Sequence, residues 1–278
     1  MVENIEINKS LAPIGVFDSG VGGLTVVKEI MNQLPNENIV YFGDMARVPY
    51  GSKSSGTIIK YSRQIIRFLQ TQQVKAIVIA CNTASALALD AMVSEFDIPI
   101  IGVIEPGAKT AVEYTNTKNI GIIGTEATIK SRIYSNIIHQ YDSSILTFGE
   151  ACPLFVPLVE EGWLHDKVTD EVARRYLSGL KEKNIDSLIL GCTHYPLLSS
   201  TIQKTMGNKV KLINPAYETA LSLRELINSY SLTTPVKAKN LQHKFFASDA
   251  SERFKRIGNS IGLPFHIDEV EQINIEAY

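Results

Sequence analysis

Residues 188–196 read LILGCTHYP, and residues 77–85 read IVIACNTAS. Each is an apolar run that closes on a small residue, followed by a cysteine and then by polar side chains. A run that is apolar throughout, rather than alternating with polar positions, is what a strand covered on both faces requires. The residues after each cysteine open a helix: Asn82 or Thr83 can cap one beginning near Ala84, and Pro196 suits a first helical turn. The same strand–cysteine–helix unit therefore occurs once in each half of the chain.

Outward from these units the alternation continues. Candidate strands are IGVF (14–17), IVYF (39–42), AIVIA (76–80) and IIGVI (100–104), then NIGIIG (119–124), SILTF (144–148), SLILG (187–191) and KLIN (211–214). A last unit holds HKFFA (243–247) and FHIDE (265–269). Helices are expected near 24–34, 57–72, 84–96, 127–140, 167–183, 216–230 and 250–257; in the second of these, apolar residues at 58, 61, 65, 66 and 69 mark one face. Strands alternating with helices give an α/β fold with mostly parallel sheets flanked by helices. About nine or ten strands, with a repeated cysteine unit, predict two similar domains related by a pseudo-twofold, with the active site in the cleft between them. IEPG (104–107) offers a break before the second domain and NPAYE (214–218) a return to the first. The expected division is 1–104 plus 216–278 for a discontinuous first domain, and 105–215 for a second inserted in it.

Composition narrows the function classes. The chain has 278 residues, 45% hydrophobic and 20% charged, with a formal net charge of −2, so it carries no electrostatic footprint for nucleic acid. The start, MVENIEINKSLAP, has neither a basic n-region nor an apolar h-region, and no apolar run approaches the roughly 20 residues that cross a bilayer. A cytoplasmic protein without membrane association is expected. The 3 cysteines, Cys81, Cys152 and Cys192, are an odd set without a CxxC or metal-ligand spacing, so free thiols and no metal are expected.

A cysteine at the carboxyl end of a buried strand is placed where open α/β sheets bind ligands. The start of the following helix carries roughly half a positive charge, which favours a thiolate and a bound carboxylate. A lone cysteine there is most often packing, and Cys152, among apolar neighbours, is read that way. Two, each set among polar residues at matching places, point to chemistry. Thiols on either side of one cleft can take a proton from a carbon and return one to its opposite face, inverting it. A redox pair would also use two thiols, brought close enough to bond.

Other residues support a site. VFDSGVGGLTV (16–26) is a strand, a glycine-rich turn and a helix start; it lacks GK[ST] and a full GxGxxG, which speaks against nucleotide binding. Asp18 at the strand end could accept from a substrate ammonium or orient a thiol, and with Ser19 could equally form a cap or Asx-turn. The loop MARVPYGSKSSG (45–56) brings Arg47, Tyr50, Gly51 and Ser52. Thr125 and Thr128 in GTEAT open a helix, as caps or binding groups. His194 stands two residues from Cys192, where it can poise a thiolate. Glu160, in LVEEG, reads either as a site carboxylate or as exposed charge.

The set FDSGVGGLTV, YFGDMARVPYG, VIACNTAS, VIEPG, GTEAT, CPLFVPLVEEG and LGCTHYPLL resembles the bacterial glutamate racemases, from about Ile14 to Glu218. ACNTAS with GCTHYP marks the amino-acid racemase superfamily; DSGVGGLTV and RVPYG mark its glutamate branch. The resemblance implies interconversion of L- and D-glutamate without pyridoxal phosphate, metal or other cofactor, supplying D-glutamate for peptidoglycan. It implies Cys81 and Cys192 as the acid/base thiols, Cys81 acting on D-glutamate and Cys192 on L-glutamate, with Asp18, His194 and Glu160 assisting. It assigns substrate binding to Asp18, Ser19, Tyr50, Gly51, Asn82, Thr83, Thr193 and His194, to which Thr125 is added from its place in the sequence. The expected partner is the small-molecule substrate; a homodimer is left open. Met45 departs from the family's usual Thr or Ser, and the tail after about Lys237 is weakly matched. A racemase of another acidic amino acid such as aspartate, a one-thiol hydrolase and a non-enzymatic binding protein remain alternatives.

Overall fold

The computed structural model describes residues 9–235 and 241–278. Residues 1–8, within the start read for a leader, and 236–240, where the weakly matched tail begins, lie outside the described residues.

Ten strands form two wholly parallel sheets among the described residues. The first has six: β1 (Ile14–Asp18), β2 (Ile39–Gly43), β3 (Ala76–Ile79), β4 (Ile100–Gly102), β9 (Lys244–Ala247) and β10 (Glu271–Gln272), in the order β10-β9-β2-β1-β3-β4. The second has four: β5 (Asn119–Gly124), β6 (Leu146–Ala151), β7 (Ser187–Gly191) and β8 (Lys211–Ile213), in the order β6-β5-β7-β8.

The uninterrupted apolar runs follow from helices on both faces of each sheet. In β1, Ile14 and Val16 pack with helices Leu24–Gln33 and Pro215–Ser229, whereas Phe17 faces helices Ser55–Thr71 and Asn82–Glu95. In β7, Leu188 and Leu190 face helices Lys167–Lys181 and Ser199–Met206, and Ile189 faces Ile104–Tyr114 and Ile133–Tyr141. Successive side chains thus enter opposite cores, and each buried Val, Ile, Leu or Phe contributes roughly 1.5–3 kcal/mol.

Several expectations shift. IEPG is the first turn of helix Ile104–Tyr114, where Pro106 needs no hydrogen-bonded N–H. Its Ile104, Ala108 and Ala111 are buried in the second sheet's core. The helix expected over 127–140 divides into Glu126–Ser131 and Ile133–Tyr141 at Arg132, which takes left-handed φ 56. FVPLVE, where no element was expected, is the short helix Phe155–Glu160. FHIDE forms no strand, because both backbone groups of Ile267 bond the Asn259 side chain instead of a ladder: Ile267 N donates to Asn259 Oδ1 at 2.7 Å and Asn259 Nδ2 to Ile267 O at 3.2 Å. The edge pairing falls instead to Glu271–Gln272. No helix among the described residues is long and apolar enough to cross a membrane.

Candidate active site

The carboxyl ends of strands from both sheets line one cavity of about 430 Å3. Ser19 follows β1, Cys81 follows β3, Thr125 follows β5, and Cys192, Thr193 and His194 follow β7. All of them border the cavity, as do Tyr50, Gly51, Asn82, Thr83 and Glu160. Both cysteines are buried residues, at 5% exposure for Cys81 and 7% for Cys192.

The two thiols have different surroundings. Cys81 itself occupies the N-cap position of helix Asn82–Glu95, in place of the expected caps Asn82 and Thr83, and makes no side-chain cap bond. Its Sγ lies 3.7 Å from Ser19 Oγ. Burial, and then the nearby Asp18 carboxylate, push the Cys81 thiol up to about 12, against the Ala84 backbone N–H at the helix start. The helix end acts in the expected direction but is outweighed by desolvation, so the activated thiolate inferred from the sequence is not the resting state of Cys81.

Cys192 precedes a single 3-10 turn, Tyr195–Leu198, that carries Pro196 and leads into helix Ser199–Met206. Its Sγ lies 3.9 Å from His194 Nδ1. His194 Nε2 is 3.2 Å from Glu160 Oε1, and Glu160 Oε2 accepts from Arg253 Nη2 at 3.0 Å. Burial would lower the His194 pKa, but its bonds to Cys192 and Glu160 raise it to about 10. The bond from His194 in turn holds the Glu160 carboxyl below its ordinary range. The raised pKa favours an imidazolium, placed between Cys192 and the Glu160 carboxylate. Glu160 is tied into the site rather than being exposed charge.

Asp18 does not border the cavity. It is fully buried beneath it, with Oδ2 accepting from Gly20 N at 3.0 Å and Oδ1 lying 3.5 Å from Thr193 Oγ1. Burial raises its pKa, against the opposing pull of His194 and of the backbone N–H groups of Gly20, Gly23 and Ser19. It thus reaches both halves of the site from below. Thr25 reinforces the junction, donating to both Gly22 O and Thr193 O at 2.9 Å.

Across the cleft, hydroxyls connect the sheets. Thr83 Oγ1 lies 2.9 Å from Thr125 Oγ1, which also caps its helix by accepting from Thr128 N at 3.3 Å. The buried Tyr134 hydroxyl donates to Asn82 Oδ1 at 2.7 Å. Gly51 presses on Thr125 so closely that a Cβ there would stand 2.7 Å from Thr125 Cβ.

Sequence reasoning missed three participants. Arg253 borders the cavity from helix Ser251–Ser260, but SERFKRIGNS reads as an ordinary surface helix. Tyr134 is distant in sequence from the residue it orients. Gly22, expected only as part of a glycine-rich turn, acts by contact: an added Cβ would stand 2.5 Å from His194 Cε1 and closer still to Thr193 Oγ1. The DSGVGG pattern that contains Gly22 was the available signal.

The chain belongs to the Asp/Glu/Hydantoin racemase family, whose model matches residues 14–222. It is similar to the glutamate racemase of Geobacter metallireducens, 48% identical over 264 residues that cover 95% of this chain and 97% of the relative. In structure it is similar to the glutamate racemase of Francisella tularensis subsp. tularensis SCHU S4, crystallised in complex with D-glutamate. The TM-score is 0.90 at 41% identity, with 97% of this chain and 100% of that one covered. The Picrophilus torridus aspartate racemase shares the fold at TM-score 0.55 and 21% identity, covering 80% of this chain and 99% of that one.

Proposed function

We propose that this chain is a cytoplasmic glutamate racemase, an isomerase that interconverts L- and D-glutamate by α-proton transfer between two thiols and so supplies D-glutamate for peptidoglycan. One observation carries the reading: Cys81 and Cys192, each at the carboxyl end of a central strand of its own sheet, border a single cavity. The extent and degree of identity to glutamate racemases favours glutamate over aspartate as substrate. The domain division 1–104 plus 216–278 and 105–215 belongs to the same reading. It is supported by sheet membership and by helix Pro215–Ser229, which packs in the first sheet's core.

In this mechanism Cys81 takes the α-proton from D-glutamate and Cys192 delivers one to the opposite face; the reverse run starts from L-glutamate at Cys192. The two sides prepare their sulfurs differently. A substrate ammonium beside Cys81 favours the thiolate by the same Coulomb effect through which Asp18 opposes it. On the other side, protonated His194 stabilises a Cys192 thiolate and can return a proton to it, while Glu160 keeps the imidazolium charged. Carboxylates are received by neutral donors: the start of helix Asn82–Glu95, and the Thr83, Thr125 and Thr193 hydroxyls. Arg253, a cation on the cavity wall, is already paired with Glu160.

The test is turnover of each enantiomer in D2O. Deuterium should enter the α-carbon as circular dichroism decays, with aspartate turned over far more slowly than glutamate. Cys81→Ala and Cys192→Ala should each abolish racemisation. Full activity in either variant would sink the two-thiol mechanism, and faster turnover of aspartate would reassign the substrate.

A further inference from the structure

The loop that brings Tyr50 and Gly51 to the cavity is held from outside it. Asp44, at the end of β2, is fully buried and accepts three side-chain bonds. The Tyr50 hydroxyl at 2.5 Å and Arg47 Nε at 2.7 Å share Oδ2, while the Ser248 hydroxyl donates to Oδ1 at 2.8 Å. Ser248 Oγ also accepts from Ala46 N at 2.9 Å. Arg47, its side chain only 9% exposed, extends the network outward: Nη1 donates to Gln64 Oε1 at 2.6 Å and to Glu276 Oε1 at 3.0 Å. Its guanidinium lies 4.0 Å from the centroid of the Tyr61 ring, which packs in turn on Tyr50. Glu276 belongs to the last turn, Ile275–Ala277, which is fastened by buried Ile275 and by the Tyr278 ring against Phe68. Asp44, Arg47, Ser248 and Glu276 are all absent from the cavity wall.

We infer that Arg47 is a positioning residue for the Tyr50–Gly51 wall of the substrate cavity, and that the C-terminal turn reinforces it through Glu276; the inference rests on the racemase reading. The physical case is the buried Asp44 charge. A carboxylate with no exposure needs a cationic partner, and Arg47 supplies it on the same oxygen that holds the Tyr50 hydroxyl. With Arg47 removed, that oxygen must recruit another donor or water, and Tyr50 is the group nearest to move. Gly51 follows it directly and is packed on Thr125 with no slack, so a displacement at Tyr50 reaches the cross-cleft Thr83–Thr125 pair. The effect should therefore appear in substrate binding rather than in proton transfer at the sulfurs.

The experiment is steady-state racemisation of L- and D-glutamate by the full chain and its variants, alongside thermal melts. Arg47→Ala should raise KM about tenfold for both enantiomers, the size of one charge-assisted hydrogen bond, with kcat changed by less than about twofold. Arg47→Lys, which keeps the charge but not the fork, should lie between it and the parent. Glu276→Gln should raise KM about twofold, as fits an exposed partner, and should add nothing in the Arg47→Ala background, because it acts through Arg47. A lowered melting temperature with unchanged KM in Arg47→Ala would overturn the inference, as would a Glu276→Gln effect that persists in full beside Arg47→Ala. Should Arg47→Ala not fold, unchanged KM in both Arg47→Lys and Glu276→Gln overturns it equally. Absence of α-proton exchange in the parent chain would instead defeat the racemase reading itself.

Discussion

Gly22→Ala tests the junction between the two halves of the site most directly. Gly22 has no left-handed φ, so the need for glycine there is one of space alone. The added Cβ would stand 2.5 Å from both Cε1 and Nδ1 of His194, about 1 Å short of the roughly 3.5 Å at which such atoms touch. Neither neighbour can yield freely. Thr193 is held through its carbonyl by Thr25, and His194 by Glu160. Overpacking of this kind costs about 1–3 kcal/mol. A displacement of about 1 Å at a catalytic group costs on the order of 100-fold in rate. Because enantiomers have equal free energies, kcat/KM must fall equally in both directions. The lesion is nonetheless one-sided, falling on His194 and Cys192 and sparing Cys81. Gly22→Ala should therefore lower racemisation about 100-fold through the Cys192 side of the site. Circular dichroism of each enantiomer measures the drop. Racemisation close to that of the parent, with an unchanged melting temperature, would refute the close packing of Gly22 on His194.

Two more outcomes concern the same site. The folded-state pKa of His194, about 10, lies above its ordinary 6.5. The stability it contributes is therefore fully present below pH 6.5 and is lost as pH rises through about 10. Denaturant unfolding on either side of that window, at about pH 6 and about pH 10, should show the decline in the parent and a smaller one in Glu160→Gln; equal declines would separate Glu160 from the imidazolium. Tyr134→Phe removes the donor to Asn82 Oδ1 and leaves that buried acceptor unpaired, which should cost about 1–3 kcal/mol and lower the melting temperature by several degrees. An unchanged melt would mean that the bond contributes nothing net.

Much of this was legible because the strands are short and apolar throughout. Runs such as IVIA and LILG cannot lie on a half-exposed sheet, and a cysteine closing such a run falls at the ligand-binding edge by construction. Helix Ile104–Tyr114 was hidden because Pro106 reads as a breaker unless its place in the first turn is known. FHIDE has strand composition, yet Asn259 takes both backbone groups of Ile267, a competition invisible from the segment alone. Arg253 carried no local signal, since its partner Glu160 is remote in sequence. The resting state of Cys81 was misjudged for an energetic reason. The sequence exposes the helix start that favours a thiolate, but not the depth of burial or the carboxylate of Asp18 lying alongside.

The placement of two buried cysteines on one cavity has a kinetic consequence. In the proposed reaction each turnover leaves one proton fewer on one thiol and one more on the other, so the protein that releases D-glutamate is ready only for D-glutamate. To accept L-glutamate again it must first exchange protons internally or with water, across the cavity that both cysteines border. The free protein thus retains a record of the enantiomer it last released. At high substrate concentration, the rate at which that record is erased can set the pace of turnover.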